Sequence, residues 1–327
     1  MSLPARLFRC VILLAALARP VPAAKVAGYA LLTEPDQGLS ALYTLLSSAR
    51  KSIDLTMYEL RDGTVTALLE QAAAQGVAVR VILDQNNEQD RNEAAYADLA
   101  AHGVAVHWAN PAYACTHQKT ITVDGATSAI MTLNFTPQYY PTSRDFAVIT
   151  TSAADIAAIE TTFAADFSDT PIIPPTGANL VWSPTNARSS LLGLIGSATG
   201  SLQVENEEMS DRGVVDALCA AAARGVAVRI AMTDRGSYAQ AFGQLQDAGA
   251  ALALYSPSAP LYIHAKVVLA DYGTAAAQVF IGSENFSRAS LGRNRELGLI
   301  TTDPGLLASI STTLDADFAG GQPFARG

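Results

Sequence analysis

Helix-like and strand-like hydrophobic patterns alternate along this chain. Residues 52–58 alternate apolar and polar side chains as a half-buried strand does, and residues 65–75 carry apolar side chains at helical spacing. The same patterns predict further helices at 38–49, 94–101 and 154–167, and further strands at 77–84, 104–108, 119–123 and 129–133. The last two strands flank Asp124-Gly125, a hairpin turn signal. We therefore predict an α/β sandwich with a mostly parallel sheet and some antiparallel pairing near this turn.

Two copies of this plan follow each other. Residues 75–80 (QGVAVR) recur as 224–229 (RGVAVR), and residues 161–167 recur as 312–318. The offsets are 149 and 151 residues, and such consistency indicates an internal duplication. We predict two tandem domains of similar α/β fold.

The segment between the copies is rich in proline. Three prolines and a glycine lie within residues 168–177, and this composition does not continue a helix. We place the linker at residues 171–178, the first domain at 25–170 and the second at 179–327.

The first two dozen residues have the pattern of a secretory leader. Arginines precede an apolar run over residues 10–18, and small residues follow up to Ala23 and Ala24. The pattern predicts a signal peptide over residues 1–24, cleaved near Ala23 or Ala24, and hence a secreted or periplasmic protein. An uncleaved amphipathic anchor is the alternative, because the apolar run is roughly half the length that spans a bilayer.

The chain is acidic. Its formal charge of −9 becomes −12 once the leader, with three arginines and no acidic residue, is removed. Such a charge does not favour non-specific attraction to nucleic acid or to an anionic membrane, since binding to a phosphate backbone relies on lysine and arginine contacts. Beyond the leader only Cys115 and Cys219 remain, without a zinc-type spacing. We expect two free thiols rather than a disulfide, and neither a metal nor a cofactor.

A His-x-Lys motif occurs at equivalent places in the two halves. His117-Gln118-Lys119 and His264-Ala265-Lys266 lie 147 residues apart in a chain with four histidines. Each motif is followed by an aspartate, a hydroxyl residue, an asparagine and a further acid. These residues are Asp124, Thr132, Asn134 and Asp145 in the first half, and Asp271, Ser283, Asn285 and Glu296 in the second. A duplicated set of this kind predicts one composite active site.

The residue types suit phosphodiester chemistry without a metal. One histidine can attack phosphorus, while a second, protonated histidine gives its proton to the departing oxygen. The lysines would stabilise charge on the phosphate oxygens, with the asparagines and hydroxyls as neighbouring donors. Asp145 and Glu296 follow their histidines by 28 and 32 residues and would accept a hydrogen bond from Nδ1. The residues alone leave open which histidine becomes phosphorylated.

Two further acids are repeated. Glu59 and Glu208 occupy equivalent positions after the first predicted strand of each half. They are candidates for a supporting contact with a lysine or histidine of the site. Solvent-facing acids at a strand end would have the same pattern.

The doubled motif resembles that of the phospholipase D superfamily, whose signature is H-x-K-x4-D followed by G-S-x-N. The resemblance covers nearly the whole chain beyond the leader. It implies two domains about a pseudo-twofold axis, with the active site at their interface, His117 as nucleophile and His264 as general acid. The phosphate ligands that it implies are Lys119, Lys266, Asn134 and Asn285, and the residues that support the local fold are Asp124 and Asp271.

The first half departs from the signature. Met131-Thr132 stands where glycine and serine are expected, while Gly282-Ser283 in the second half fits. Because glycine permits close backbone approach, a methionine at this place is expected to narrow or reshape the phosphate pocket.

The resemblance, the leader and the acidic charge favour phospholipase D activity, which cleaves a phospholipid at a membrane surface into phosphatidic acid and the free head group. A nuclease or nucleotide phosphodiesterase is the alternative; a basic stripe along the cleft from Arg61, Arg144, Arg288, Arg293 and Arg295 would support it. A phosphatidyl transferase is a further alternative, since it differs only in the hydroxyl that reaches the intermediate. Both motifs lie in one chain, so we expect a monomer.

Overall fold

The computed structural model describes residues 28–325. The leader predicted at 1–24 lies outside these residues. Within the described part, no helix is both long enough and apolar enough to cross a membrane.

The first half folds as one sheet with helices. Its elements in chain order are β1 (Tyr29–Glu34), α1 (Ser40–Ser47), β2 (Ser52–Met57), α2 (Gly63–Ala74), β3 (Ala78–Leu83), α3 (Gln89–Ala101), β4 (Ala105–Trp108), β5 (Thr120–Val123), β6 (Thr127–Met131), β7 (Ser143–Thr150) and α4 (Ala153–Phe167). The strands lie side by side in the order β1-β7-β6-β5-β2-β3-β4. The two predicted strands at the hairpin turn are β5 and β6.

The second half repeats this order. Its elements are β8 (Leu180–Ser183), α5 (Ala187–Ser197), β9 (Ser201–Glu205), α6 (Arg212–Ala223), β10 (Ala227–Thr233), α7 (Ala239–Asp247), β11 (Ala251–Tyr255), β12 (Tyr262–Ile263), β13 (Val267–Ala270), β14 (Gln278–Gly282), α8 (Arg288–Gly292), β15 (Glu296–Thr301), α9 (Pro304–Gly320) and β16 (Gln322–Pro323). Its sheet has the order β16-β11-β10-β9-β13-β14-β15-β8. Strand for strand, β8 to β15 therefore repeat β1 to β7, with β12 as an insertion.

The predicted α/β architecture of two similar domains is confirmed, but the parallel part of each sheet is smaller than expected. Among the described residues, parallel pairing joins the neighbours β2-β3-β4, equally β9-β10-β11, and the short β12 to β7. The other pairs along each sheet are antiparallel. The reason is local: helices α2 and α3 cross over between parallel strands, whereas a tight hairpin joins β5 to β6 and reverses the chain.

The two sheets face each other. Their inner faces share a core to which both halves contribute, with Ile130 and Phe146 from the first and Trp182, Val267 and Leu299 from the second. Helices α1 to α3 and α5 to α7 cover the outer faces, over separate cores. Burial of apolar side chains between the sheets holds the halves together and fixes the geometry of the cleft at their edge.

Polar contacts cross the same interface. Arg144 on β7 is buried and binds Asp317 on α9 through Nε and Nη2, at 2.5 and 3.0 Å. The equivalent Arg295 binds Asp166 on α4 at 2.9 Å. Strand β12 of the second half pairs with β7 of the first. Each half therefore binds the other through the segment that follows its asparagine.

The motif aspartates stabilise turns. Asp124 has a positive φ of 55°, and its carboxylate accepts hydrogen bonds from the backbone N–H groups of Arg50, Lys51 and Ser52, at 2.6–3.0 Å. Asp271 binds the backbone before β9 in the same way, with φ of 52°. These contacts fix the start of β2 and of β9, the second strand of each half, and they agree with a supporting role.

Candidate active site

A cavity of about 630 Å³ opens where the two halves meet. Both motif histidines line it, one from each half. The predicted site residues in its wall are His117, Asn134, Asp145, Glu59, His264, Asn285 and Glu208. The duplication therefore produces one shared cleft rather than two separate ones.

His117 is held on a buried carboxylate. Its Nδ1 donates to Glu296 Oε2 at 2.9 Å, and the other oxygen of that carboxylate accepts from Ser290 Oγ at 2.6 Å and Asn294 Nδ2 at 2.9 Å. The ring of Tyr58 meets the imidazole edge-on, with centroids 4.6 Å apart. Burial, followed by the charge of Lys119, lowers the pKa of His117 to about 4. The ring is therefore neutral near pH 7, and its other nitrogen, Nε2, is a potential nucleophile.

His264 lies between two carboxylates. Its Nδ1 donates to Asp145 Oδ1 at 2.7 Å, and its Nε2 lies 3.4 Å from Glu207 Oε2. Burial acts to raise the pKa of Asp145, but the charge and hydrogen bond of His264 outweigh it and leave the pKa below its usual value. Both ring nitrogens can donate here, which is the arrangement that a doubly protonated imidazole requires.

The carboxylates are exchanged between the halves. Asp145 was expected to serve the histidine of its own half, as was Glu296, but each one binds the histidine of the other half. The backbone explains the exchange: His117 N donates to Arg295 O at 2.9 Å, and His264 N donates to Arg144 O at 3.3 Å. The backbone of each histidine thus binds the residue that directly precedes the carboxylate residue of the opposite half.

The two lysines lie buried below the cavity. Lys119 Nζ donates to the carbonyl of His117 at 2.5 Å and lies 4.8 Å from the centre of the Tyr58 ring. Lys266 Nζ donates likewise to the carbonyl of His264, and it also lies 3.2 Å from Glu207 Oε2. Burial, followed by the charge of Lys266, lowers the pKa of Lys119 to about 7. Each histidine thus has a lysine beside it, whose charged form would stabilise an anion.

Glu207 is the main contact that the sequence did not reveal. Its carboxylate touches His264 and Lys266, and on its other side it accepts from Tyr262 at 2.9 Å and Arg235 at 3.1 Å. A usable signal was present: the repeat offset of 149 aligns Glu207 with Tyr58, so that different residues occupy equivalent places beside the two histidines. A comparison of unlike residues within the duplication would have found it.

The asparagines reach the cavity from both halves. The side-chain oxygens of Asn134 and Asn285 are buried without a hydrogen-bond partner. Asn285 Nδ2 lies 3.5 Å from Glu207 Oε2, at the limit of a hydrogen bond. Both side chains lie in the cavity wall, and it is their Nδ2 groups, as hydrogen-bond donors, that fit the expected role as phosphate ligands.

The hydroxyl residues do not reach the cavity. Thr132 donates to Asp145 Oδ1 at 2.5 Å and accepts from Phe146 N at 2.8 Å, while Ser283 accepts from Leu297 N at 3.2 Å. Both are fully buried between neighbouring strands, so the expectation that they bind phosphate is corrected. Their hydroxyl groups are engaged instead in hydrogen bonds to the neighbouring strands β7 and β15.

Met131 likewise leaves the pocket unchanged. Its side chain is fully buried in the core of the first half and does not line the cavity. The equivalent Gly282 has no room for a side chain, because a Cβ there would lie 2.3 Å from Glu284 Oε2 and 2.4 Å from Gly298 Cα. The departure from the signature therefore concerns packing behind the site, and the expected narrowing is corrected.

Glu59 and Glu208 lie in the cavity wall but hold neither a lysine nor a histidine by hydrogen bonds. Glu59 lies 3.8 Å from Arg61 and 3.7 Å from Arg91. Burial raises the pKa of both acids above the usual value. Their contribution is to the charge of the wall rather than to the orientation of the catalytic pair.

The basic stripe that would suit nucleic acid does not form. Arg144 and Arg295 are buried in the interdomain pairs, and the other three arginines of the expected stripe do not line the cavity. The arginines in its wall are Arg91 and Arg235, and each is paired with a glutamate. Six carboxylates line the same cavity, namely Glu34, Glu59, Glu88, Asp145, Glu207 and Glu208.

The two cysteines beyond the leader are free thiols, as expected. Cys115 is buried beside the motif of the first half, and Cys219 is partly buried on α6 of the second. Burial raises the pKa of Cys115. A thiol in this state is inert as a nucleophile.

Comparisons with known proteins agree with this geometry. A family profile described as "Cardiolipin synthase, PLD-like domain" matches residues 42–167 and again residues 191–319. Cardiolipin synthase A from Pseudomonas aeruginosa strain LESB58 is 24% identical over an alignment of 332 residues. The match covers 88% of this chain but only 66% of the length of that relative.

Two solved structures have the same fold along most of this chain. Polyphosphate kinase from Porphyromonas gingivalis matches with a TM-score of 0.70 and 17% identity, over 89% of this chain and 50% of that one. Phosphatidylserine synthase from Haemophilus influenzae Rd KW20 matches with a TM-score of 0.69 and 12% identity, over 90% and 87%. These structures show the fold alone, and the doubled profile match, which spans more than half of the residues, confirms the expected superfamily. The chain belongs to the phospholipase D superfamily, in the family described as the PLD-like domain of cardiolipin synthase.

Proposed function

We propose that this protein cleaves a phospholipid at the phosphodiester bond to its head group, through a covalent phosphohistidine. The observation that carries the proposal is the pair of histidines from the two halves, which open into one cavity and are each fixed through Nδ1 by a buried carboxylate. Such fixation leaves Nε2 of His117 available for attack on phosphorus, while Nε2 of His264 lies 3.4 Å from Glu207 Oε2.

The proposed reaction has two steps. Nε2 of His117 attacks phosphorus, the bond from phosphorus to the head-group oxygen breaks, and His264 gives its proton to that oxygen. In the second step His264 takes a proton from water, whose oxygen attacks phosphorus and releases His117. Lys119 and Lys266 stabilise the charge on the phosphate oxygens in both steps, so that no metal is required.

The assignment of nucleophile and acid follows the asymmetry of the site. His117 is neutral near pH 7, because burial lowers its pKa to about 4. His264 has a carboxylate near each ring nitrogen, which suits the proton donor.

A lipid substrate is supported by two observations. The relatives with matching sequence or fold include proteins named cardiolipin synthase A and phosphatidylserine synthase. The cavity wall carries more carboxylates than arginines, which disfavours a polyanion such as DNA, and it includes the rings of Tyr139, Tyr140 and Tyr262. Amphipathic rings of this kind are suited to a lipid–water boundary.

Transfer to an alcohol is the second candidate. It uses the same intermediate, and only the second step differs, because an alcohol replaces water as the attacking group. The match to cardiolipin synthase A favours this version. We propose hydrolysis as the default reaction and expect transfer when an acceptor alcohol is abundant.

The proposal includes export of a monomer after removal of residues 1–24. N-terminal sequencing of the protein recovered outside the cytoplasm should begin near residue 24 or 25. Size-exclusion chromatography with light scattering should give the mass of a single chain. Recovery only from the cytoplasm, or a stable dimer, would contradict this part of the proposal.

The central experiment is an assay of the purified protein on mixed phospholipid vesicles, with and without EDTA, with and without glycerol, and in parallel on single- and double-stranded DNA. We expect release of phosphatidic acid in the presence of EDTA, and a phosphatidyl-glycerol product when glycerol is added. The His117→Ala variant is the control and should produce neither.

Other outcomes have distinct meanings. Cleavage of DNA without lipid turnover would overturn the lipid assignment and leave the two-histidine chemistry in place. Strict dependence on a divalent ion would overturn the metal-free mechanism.

A further inference from the structure

Glu207 places a carboxylate among the groups that would bind the substrate phosphate in the second half. Its Oε2 lies 3.2 Å from Lys266 Nζ, 3.4 Å from His264 Nε2 and 3.5 Å from Asn285 Nδ2. Those three groups are the second-half members of the proposed phosphate site. A phosphate has to bind beside this carboxylate or displace it.

The carboxylate is held in this place from behind. Oε1 accepts from Tyr262 and Arg235 in the cavity wall. Oε2 contacts the catalytic groups. Burial acts to raise the pKa of Glu207, but Lys266, His264 and Arg235 lower it well below the usual value. Glu207 therefore remains negatively charged across the working pH range.

The equivalent place in the first half carries no charge. Tyr58 occupies it, with its ring against His117 and below it Lys119. A carboxylate thus lies beside the lysine and the asparagine on the His264 side, whereas a tyrosine takes the equivalent place beside His117.

We propose that Glu207 is a specificity-determining residue that makes the site select phosphodiesters, which carry one negative charge, against phosphomonoesters, which carry two. The inference rests on the proposed function and deepens it. A fixed carboxylate next to a bound phosphate repels a dianion more strongly than a monoanion, since Coulomb repulsion scales with the charge.

The selection bears on product release. Cleavage of a phospholipid to phosphatidic acid converts a diester into a monoester, and the product gains a second negative charge near neutral pH. The carboxylate that tolerates the substrate therefore repels the product. A weakly inhibiting product is the expected consequence.

The test compares two small competitors, dimethyl phosphate and methyl phosphate, at about pH 7.5, where the first is a monoanion and the second mainly a dianion. Binding is measured by calorimetry, without turnover. In the wild type we expect dimethyl phosphate to bind at least as tightly as methyl phosphate. In Glu207→Gln we expect the affinity for methyl phosphate, relative to dimethyl phosphate, to rise by about tenfold or more.

Glu88→Gln is the matched control. Glu88 lines the same cavity, but it pairs with Arg91 and not with a histidine or lysine of the site. Its removal takes the same charge from the cavity wall but no contact from His264, Lys266 or Asn285, so the ratio of the two affinities should change by less than about twofold.

The proposal is overturned if folded Glu207→Gln keeps the wild-type ratio, or if Glu88→Gln changes it as strongly. Should Glu207→Gln fail to fold, the wild type alone decides, because tighter binding of methyl phosphate than of dimethyl phosphate would contradict the selection. None of these measurements depends on lipid turnover. Failure of the lipid assignment and failure of this inference are therefore distinguishable.

Discussion

The surroundings of His117 and His264 are built from the same repeat and yet differ. Both rings are fixed through Nδ1 by a carboxylate of the opposite half. Beside the reactive edge, His117 meets the ring of Tyr58, whereas His264 meets the carboxylate of Glu207. The duplication thus preserves the orientation of the imidazoles and varies the charge next to them.

Fusion of the two halves makes this difference possible. In a symmetric dimer of identical chains, equivalent positions carry the same residue by necessity. In one chain, Tyr58 and Glu207 can differ while the scaffold stays nearly twofold. The comparison predicts that the two histidines perform different steps, and the following experiments test that prediction from the largest expected effect to the smallest.

Removal of either imidazole should abolish turnover, but only one variant should still form the intermediate. We expect His117→Ala and His264→Ala each to reduce kcat by about 10⁴-fold or more. With a nitrophenyl phosphodiester, whose leaving group needs no proton, His264→Ala should accumulate phosphohistidine at His117, detectable by mass spectrometry of the acid-sensitive adduct. A trapped adduct on His264 in the His117→Ala variant would reverse the assignment.

The exchanged carboxylates should matter nearly as much. Asp145→Asn and Glu296→Gln keep the shape of the side chains but remove the charges that hold His264 and His117, so we expect each to lower kcat by about 10³–10⁴-fold. The step affected should differ. In a burst experiment, Glu296→Gln should slow the formation of the intermediate. Asp145→Asn should slow both its formation and its breakdown. Identical effects on both steps would show that the two histidines are not distinguished by their acids.

The interdomain arginine pairs should dominate stability. Arg144→Met leaves the buried Asp317 without its partner, and we expect the free energy of unfolding to fall by about 3–5 kcal/mol. Arg295→Met should also lower the free energy of unfolding, but by less, because two nitrogens of Arg295 are already without a partner. Urea denaturation measures both. Asp36→Asn, which removes the exposed partner of Arg144, is the control and should change stability by less than about 1 kcal/mol.

The first half should set the pH range. The pKa of His117 is lowered to about 4, so the neutral nucleophile persists above that pH; the pKa of Lys119 is lowered to about 7, so its positive charge is lost as the pH rises past that value. We expect kcat/KM to be bell-shaped, with an acid limb near pH 4 and an alkaline limb near pH 7, each falling about tenfold per unit. An acid limb near 6.5 would show that burial does not keep His117 neutral.

The smallest effect is expected at Tyr58. Tyr58→Phe keeps the ring against His117 and should change kcat by less than about threefold, whereas Tyr58→Leu removes the ring contacts with the histidine and Lys119, worth about 1 kcal/mol together. Steady-state kinetics of the two variants separate the ring from its hydroxyl. A strong effect of Tyr58→Phe would point instead to a role of the phenol in proton transfer.

Much of the fold was predictable because the local patterns agree with the global arrangement. The helix at α2 and the hairpin from β5 to β6 follow directly from hydrophobic spacing and from Asp124-Gly125. The weight of parallel pairing was overestimated, since periodicity identifies a strand but not the direction of its neighbour. Strand direction depends on the length of each connection.

The site was predictable in its members but not in its partners. The repeated motifs identified His117 and His264, yet the exchange of Asp145 and Glu296 depends on how the halves dock, which sequence distances do not contain. The hydrogen bonds that keep Thr132 and Ser283 out of the cavity go to the strands β7 and β15, and they likewise depend on the tertiary arrangement. Glu207 could not be identified as a repeated residue, because Tyr58 occupies the equivalent position in the first half.

The crossing contacts also restrict how a substrate can enter. If the two domains hinged apart, Asp145 would leave His264 and Glu296 would leave His117 in the same movement, and β12 would separate from β7. Opening would therefore dismantle both halves of the catalytic pair together. We therefore expect a substrate phosphate to enter a preformed cleft through its opening, past the tyrosines of its wall.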